Sequence, residues 1–224
     1  MATQKANNHL NSMGKIEFLI NSPKLTQAET VQKCQTLAQM KPACIWVKPC
    51  YVQPVVAFLR SEGVKVGTVI GCSDGSTHTQ IKVAEAKRAL TEGAIQLAAP
   101  LNVGFTREET KQDLLADLHA MSGIAHMNGA TFEMIINPEF LDIKEMLGGS
   151  LIAKQADVDV ISFPVDALDE DWETNLVAPL RKQFGEGVVL KGLLQHAAPD
   201  DVLQFLTRGL DRLGIIKVHN SNPS

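Results

Sequence analysis

The sequence lacks the signatures of several large classes of protein. Its 21 Lys and Arg residues stand against 25 Asp and Glu residues, a formal net charge of −4, and no cluster of basic side chains occurs. This balance argues against nucleic acid as a partner. No run of about eighteen apolar residues and no apolar N-terminal segment is present, so we expect neither a membrane partner nor secretion.

Cysteine, histidine and glycine also lack the spacings of redox, metal and nucleotide sites. The four cysteines form no CxxC pair, and Cys44 and Cys50 fall in or beside an apolar run, as buried free thiols do. We therefore expect a reducing, cytoplasmic location. The histidines show no HxH or HxxEH spacing, so no metal is expected. No GxGxxG turn follows the first apolar run, and no other cofactor is indicated.

What the sequence does contain is a regular alternation of short apolar runs with segments of helical period. Strands separated by helices are parallel, and eight of them at this length favour a closed barrel. The sequence therefore predicts an α/β protein, a single-domain (β/α)8 barrel over residues 14–218, with polar tails at 1–13 and 219–224. The runs are KIEFLI (15–20), ACIWV (43–47), VKVGTVI (64–70), AIQLAAP (94–100), FEMII (132–136), VDVIS (158–162), GVVLK (187–191) and LGIIKV (213–218).

The clearest helix is THTQIKVAEAKRALTEG, residues 77–93. Ile81, Ala84 and Leu90 fall on one stripe, whereas Lys82 and Lys87 lie off it. The pattern predicts that the Ile81 stripe faces the core and that the lysines face solvent.

Functional sites of such barrels lie at the C-terminal ends of the strands. Lys191 ends the apolar run VVL, and Lys48 interrupts CIWVKPCYV. A desolvated lysine beside a second cation has a lowered pKa and can attack a carbonyl, although a lysine at a strand end can also simply reach solvent. The candidates for catalysis are Lys191, Lys48 and Glu17, and those for substrate binding are Trp46, Asp74, Asn102, Asn137, Ser162 and His196.

The segment GVKVGTVIGCSDGSTHTQIKVAEAKRALTEGA, residues 63–94, resembles the third strand, loop and helix of deoxyribose-phosphate aldolases, whose pattern is GVKVATVIGFPLG followed by T-x-x-K-x-x-E-A. Weaker similarity extends the resemblance over residues 14–217. It implies a (β/α)8 barrel and class I aldolase chemistry. In that chemistry a lysine forms a Schiff base with acetaldehyde or a sugar phosphate, assisted by a second lysine and an aspartate.

Several residues of this chain depart from the pattern that the resemblance implies. Ser162 stands where those enzymes carry the Schiff-base lysine, and Ala98 stands where they carry the assisting aspartate; Lys191 matches the assisting lysine. Leu194 and Gln195 replace two glycines whose backbone amides help to bind phosphate, and residues 215–217 replace the small residues of a second phosphate loop. Serine cannot form an imine, and alanine cannot relay a proton.

Three functions follow from these departures. The first is a non-catalytic relative that binds a protein partner or a small ligand, alone or in a homo- or hetero-oligomer. The second is a carbonyl enzyme in which Lys191 is the imine-forming amine, Lys48 is the neighbouring cation and Glu17 or Asp74 is the acid or base. The third is retained deoxyribose-phosphate aldolase activity. A small carbonyl compound or a sugar phosphate is the expected ligand, and Trp46 is expected to fill part of its space.

Overall fold

A computed structural model describes residues 13–108, 111–168, 170–196 and 199–216 of the chain. Eight parallel strands close into a barrel in chain order, which confirms the single-domain (β/α)8 fold. Residues 1–12 and 217–224, which include nearly all of both predicted tails and Lys217, lie outside the described residues. The strands are β1 (Ile16–Ile20), β2 (Cys44–Val47), β3 (Val66–Val69), β4 (Gln96–Pro100), β5 (Thr131–Ile135), β6 (Val160–Pro164), β7 (Val189–Leu194) and β8 (Arg212–Ile215).

The helices cover the outside of the barrel. Two of them begin at capping boxes, in which Thr26 and Asp142 each accept a hydrogen bond from the backbone of a glutamate three residues later. The α-helices are α1 (Gln27–Ala38), α2 (Val52–Leu59), α3 (Thr79–Thr91), α4 (Val103–Arg107), α5 (Lys111–Met127), α6 (Ile143–Gln155), α7 (Ala178–Phe184) and α8 (Pro199–Thr207). Short 3-10 turns cover Pro49–Tyr51 and Val165–Ala167, and a π-helical turn, Glu173–Val177, precedes α7.

Strand register arranges the inward-facing side chains in layers, because alternate strands of such a barrel contribute side chains at the same height. We name three layers, from the interior toward the C-terminal mouth. The charged layer is Glu17, Gly67, Glu133 and Lys191; the middle layer is Trp46, Ala98, Ser162 and Gly214; the upper layer is Leu19, Val69, Ile135 and Leu193. The outward-facing residues form the main apolar core against the helices.

Helix α3 corrects the predicted orientation of its faces. Ile81 is 58% exposed, whereas Lys82 is fully buried at 0% and lies on the face with Ala86 and Ala89. Lys82 Nζ lies 2.5 Å from Asp117 Oδ2 on α5 and donates to the carbonyl oxygen of Gly75 at 2.9 Å. The hydrophobic pattern was misleading because small alanines pack closely against the barrel and a distant carboxylate compensates the buried ammonium group.

The Lys82 ammonium also fixes the loop that follows β3. Gly71 N donates to Glu85 Oε2 of α3 at 2.9 Å, and Gly75 has a φ of 75°. A Cβ at Gly75 would lie 2.5 Å from the carbonyl oxygen of Pro100, so only glycine fits there. The loop is therefore held by α3 on one side and by the end of β4 on the other.

We expect Lys82→Met to lower the free energy of unfolding by about 3–5 kcal/mol, because it leaves the Asp117 carboxylate buried without its cation. Lys87→Met on the exposed face of the same helix is the matched control and should change it by about 0.5 kcal/mol or less. Urea denaturation followed by circular dichroism measures both. Equal effects of the two substitutions would contradict a stabilising role for the buried pair.

Candidate functional site

The charged layer places Lys191 at the centre of a buried network. Lys191 is 1% exposed, and its Nζ donates to Glu17 Oε2 at 2.7 Å and to Glu133 Oε2. Trp46 Nε1 donates to the same Glu17 oxygen at 2.7 Å, and Lys191 Nζ lies 4.4 Å from the centroid of the Trp46 ring. Arg212 Nη1 donates to Glu17 Oε1 at 3.1 Å. Two cations therefore balance two carboxylates in the barrel interior.

The electrostatics of this network keep Lys191 protonated. Burial alone lowers the pKa of a lysine, but the Glu133 and Glu17 carboxylates outweigh it and raise the pKa of Lys191 above its ordinary value. An ammonium group has no lone pair with which to attack a carbonyl. The hypothesis that Lys191 is the imine-forming amine requires a lowered pKa at Lys191. Its carboxylate neighbours raise that pKa instead.

The two carboxyl groups differ in their own titration. Burial raises the pKa of Glu17, but the charge and hydrogen bond of Lys191, with Trp46 and Arg212, more than offset it, and the pKa is lowered. Burial also raises the pKa of Glu133, and there Lys191 offsets it only in part because the Glu17 charge adds to the rise, so the pKa stays raised. Glu17 is thus the ionised partner of Lys191, and Glu133 is the more readily protonated one.

Trp46, Leu19 and Leu193 fill part of the lumen above this network. A Cβ at Gly67 would lie 2.8 Å from Trp46 Cε3, and a Cβ at Gly214 would lie 2.7 Å from Leu193 Cδ2 and 3.0 Å from Leu19 Cδ1. Bulky side chains thus occupy the space that these glycines leave. Trp46 is inward and buried, in the position where it was expected to fill substrate space.

Ser162 lies in the middle layer and is fully buried. It pairs in register with Lys191 on β7 and with Ile135 on β5. Among the described residues the Ser162 hydroxyl has no hydrogen-bond partner of standard geometry. It lies near enough to the Glu133 carboxyl to contribute to lowering the pKa of Glu133, against the larger effect of burial. The side chain at this position therefore points into the lumen, as a Schiff-base residue would have to.

Lys48 lies at the mouth and makes other contacts. Its Nζ donates to the carbonyl oxygen of Leu25 at 3.0 Å and lies 4.7 Å from the centroid of the Tyr51 ring. Strand register puts Lys48 above the upper layer, whereas Lys191 lies below the middle layer. The structure therefore does not bring the two lysines together as an amine and its neighbouring cation.

The remaining candidates shape loops at the mouth. Asp74 Oδ1 accepts hydrogen bonds from Ser76 N at 3.1 Å and Ser76 Oγ at 2.7 Å. Asn102 Oδ1 caps α4 by accepting from Phe105 N at 3.1 Å, and Asn137 Oδ1 accepts from Glu139 N at 3.0 Å. His196 is exposed just after β7. Contact of these four residues with a ligand stays a prediction.

The backbone N–H group that follows β7 already donates a hydrogen bond to a carboxylate. Asp166 Oδ2 accepts a hydrogen bond from Gln195 N at 2.7 Å, and both residues are exposed. Leu194 beside it is buried. The position where the resemblance implies phosphate-binding amides therefore carries a negative charge of the chain itself.

Sequence reasoning missed Glu133 and Arg212. The signal for Glu133 was the alternation in FEMII, where Phe132 and Met134 face the helices and the residue between them must face the lumen. Its contact with Lys191 depends on how the strands line up around the barrel, which the local sequence does not specify.

Within the part of the chain that the structure describes, no three His, Cys, Asp or Glu side chains are grouped to hold a metal ion. Over the same residues, no helix has the length and apolar character needed to cross a membrane.

These features define a (β/α)8 barrel with a buried network of charged side chains. Comparison with known proteins shows which proteins it resembles. No protein-family profile matches the chain. Deoxyribose-phosphate aldolase of Desulfitobacterium hafniense strain DSM 10664 is 28% identical over 205 residues, 92% of this chain and 94% of that protein. The enzyme of Thermococcus kodakarensis is 27% identical over 194 residues, 86% of this chain and 87% of that protein. The chain is therefore similar to the deoxyribose-phosphate aldolases over most of its length.

Solved structures agree in fold. The deoxyribose phosphate aldolase of Aeropyrum pernix, described as having a unique tetrameric structure, superposes with a TM-score of 0.81 at 18% identity and covers 92% of this chain and 87% of its own. An aldolase named QR15 gives a TM-score of 0.82 at 20% identity, covering 92% of this chain and 91% of its own.

We expect the free energies of unfolding of Glu17→Gln and Glu133→Gln, each relative to wild type, to depend differently on pH. The folded-state pKa of Glu133 lies above its ordinary value of 4.5, so wild-type stability relative to Glu133→Gln should rise as pH falls from about 7 toward 4.5. The folded-state pKa of Glu17 lies below 4.5. The contribution of Glu17 to stability is therefore present above pH 4.5 and is lost only as the pH falls through the lowered pKa of Glu17.

Urea denaturation of the wild type and both variants between about pH 7 and pH 5 measures these differences. The difference in free energy of unfolding between wild type and Glu17→Gln should not change with pH over this range. It should amount to about 3 kcal/mol or more, because Lys191 and Arg212 lose an ionised partner. A flat gap for Glu133→Gln, or the same slope for both variants, would contradict the assignment of the two carboxyl groups.

Proposed function

We propose that this chain is a non-catalytic relative of the deoxyribose-phosphate aldolases, which binds a small ligand or a protein partner and does not cleave substrate through a Schiff base. The observation that carries the proposal is the pair of carboxylates around Lys191. Among the lumen positions of the three layers Lys191 is the only amine, and its Nζ contacts both Glu17 and Glu133, which favours the ammonium form.

The neighbouring lumen positions supply no substitute for the missing groups. The Ser162 hydroxyl cannot form an imine, and the Ala98 methyl group cannot carry a proton. Loss of a nucleophile alone removes most of a rate enhancement that is typically about 10⁶-fold or more. Both residues are buried beneath the upper layer, which further separates them from a ligand at the mouth.

The charge at the mouth also disfavours a sugar phosphate. The Gln195 amide, which lies where the resemblance implies phosphate binding, already donates to Asp166. A phosphate there would have to displace this carboxylate and would otherwise be repelled by it.

We also propose a cytoplasmic location and an oligomeric assembly. Cys34, Cys44, Cys50 and Cys72 are all free thiols, which fits a reducing compartment. A tetramer is described for the Aeropyrum pernix relative, and a binding protein can act through assembly with copies of itself or with another chain. A native mass spectrum of the purified protein that contains only the monomer would contradict the homo-oligomer.

Borohydride trapping tests the non-catalytic proposal. The full chain is incubated with acetaldehyde or with deoxyribose 5-phosphate, reduced with borohydride, and examined by peptide mass spectrometry. We expect no adduct at Lys191, because a protonated, buried amine forms no imine. An active deoxyribose-phosphate aldolase treated in parallel shows that the trapping works.

Lys191→Arg is the matched variant, since it preserves a cation between the two carboxylates but cannot form an imine. Adducts on exposed lysines should be equal in wild type and variant. An adduct at Lys191 in the wild type, with aldol cleavage that disappears in Lys191→Arg, would overturn the proposal in favour of Lys191 as the catalytic amine.

A further inference from the structure

A second concave site lies outside the lumen, beside the C-terminal ends of β6 and β7. It is a groove of about 470 Å³, within the size range of small-molecule sites. It lies between the segment that follows β6 and the end of α8. Its lining is Val165, Asp166, Leu168, Glu170, Trp172, Leu194, Phe205 and Arg208.

The floor of the groove is apolar and partly aromatic. The rings of Trp172 and Phe205 are stacked with centroids 6.3 Å apart, and Val165 and Leu194 are buried beside them. An apolar ligand body can therefore gain from burial against this floor.

The one cation of the described lining is already paired. Arg208 Nε donates to Glu173 Oε2 at 3.0 Å, its Nη2 donates to the carbonyl oxygen of Glu170 at 3.4 Å, and its Cζ lies 4.5 Å from the Trp172 ring centroid. The guanidinium is thus neutralised by Glu173 and stacked on one face of Trp172. It offers little charge to an incoming anion.

The remaining charges of the lining are both negative. Asp166 and Glu170 are exposed carboxylates, and the nearby Gln195 amide, which could otherwise hold an anion, donates to Asp166. The groove therefore combines an apolar floor with two rim carboxylates that form no ion pair with any described residue. Such a rim attracts a cation, which can also interact with the aromatic rings, and repels an anion.

We propose that this groove binds a small molecule with an apolar body and one positively charged group, such as a primary ammonium, and that it discriminates against anions. Asp166 and Glu170 select the charge, and the Trp172 and Phe205 side of the floor holds the apolar body. The inference concerns a site outside the lumen and holds whether or not the lumen is catalytic.

Three probes of matched shape test the charge preference: cyclohexylmethylammonium, cyclohexylmethanol and cyclohexanecarboxylate. Isothermal titration calorimetry with the full chain at low salt compares their dissociation constants. We expect the ammonium to bind about threefold to tenfold more tightly than the alcohol, and the carboxylate to bind most weakly. Absence of binding by the ammonium, or equal or tighter binding of the carboxylate, would overturn the proposal.

Two conservative variants test whether Asp166 and Glu170 cause the preference for the ammonium probe. Asp166→Asn retains an oxygen that can accept from Gln195 N, and Glu170→Gln changes only the charge at the rim. Each should reduce the preference for the ammonium over the alcohol by about twofold to threefold. Glu186→Gln, an exposed carboxylate before β7, is the control and should leave the preference unchanged. A preference that persists in both rim variants would contradict the assignment.

Tryptophan fluorescence tests the location independently. The chain has two tryptophans, so Trp46→Phe leaves Trp172 as the only emitter. Binding of the ammonium probe should shift the Trp172 emission. Calorimetric binding without any change in that emission would place the probe elsewhere and overturn the proposal. If Trp46→Phe does not fold, the calorimetric comparison of wild type with Glu170→Gln decides the question alone.

Discussion

The structure depends on how a lysine ammonium can be buried inside a closed barrel. Removing Lys191 from water costs several kcal/mol unless opposite charges and hydrogen bonds replace its hydration. Glu17 and Glu133 provide both, and they come from strands on different sides of the lumen. The three residues therefore constrain β1, β5 and β7 to one register, because a shift by one residue would turn a charged side chain out toward the helices. The network that neutralises the lysine chemically also aligns the barrel.

The side chains above the network both satisfy its polar atoms and fill the space beside it. Trp46 covers the charged layer and gives its indole N–H to Glu17, which satisfies a polar atom that would otherwise be buried without a partner. Gly67 and Gly214 leave the room that Trp46, Leu19 and Leu193 occupy. Large and small residues thus alternate around the lumen, as dense packing of a small barrel requires. Side chains rather than a channel therefore fill this part of the barrel, so its loops and outer grooves are the surfaces most open to other molecules.

The sequence predicted the parts of this molecule that depend on local patterns. Eight apolar runs predicted the eight strands, and their number favoured the closed barrel that the structure has. The inward position of Ser162 followed from the register of the resemblance. These features require only neighbouring residues or a familiar motif.

The features that were missed depend on contacts between distant residues. Lys82 was assigned to solvent because hydropathy alone cannot show that Asp117 on another helix will meet it. One of the three hypotheses required a second cation beside Lys191, but its neighbours are carboxylates whose approach is decided by strand pairing. In both cases the apolar pattern correctly gave the element, and a long-range ion pair determined what its charged residue does.

The side chains that fill the lumen also affect which substitutions the barrel tolerates. A lysine introduced at Ser162 would place a second ammonium group next to Lys191 in the strand register, at a fully buried position. Such a side chain would be tolerated only with coordinated changes in its neighbours, because a larger, charged side chain at a packed position is destabilising when it is introduced alone. Substitutions at exposed positions of the loops and helices meet no such requirement, so the surface of this barrel can vary one residue at a time while its interior cannot.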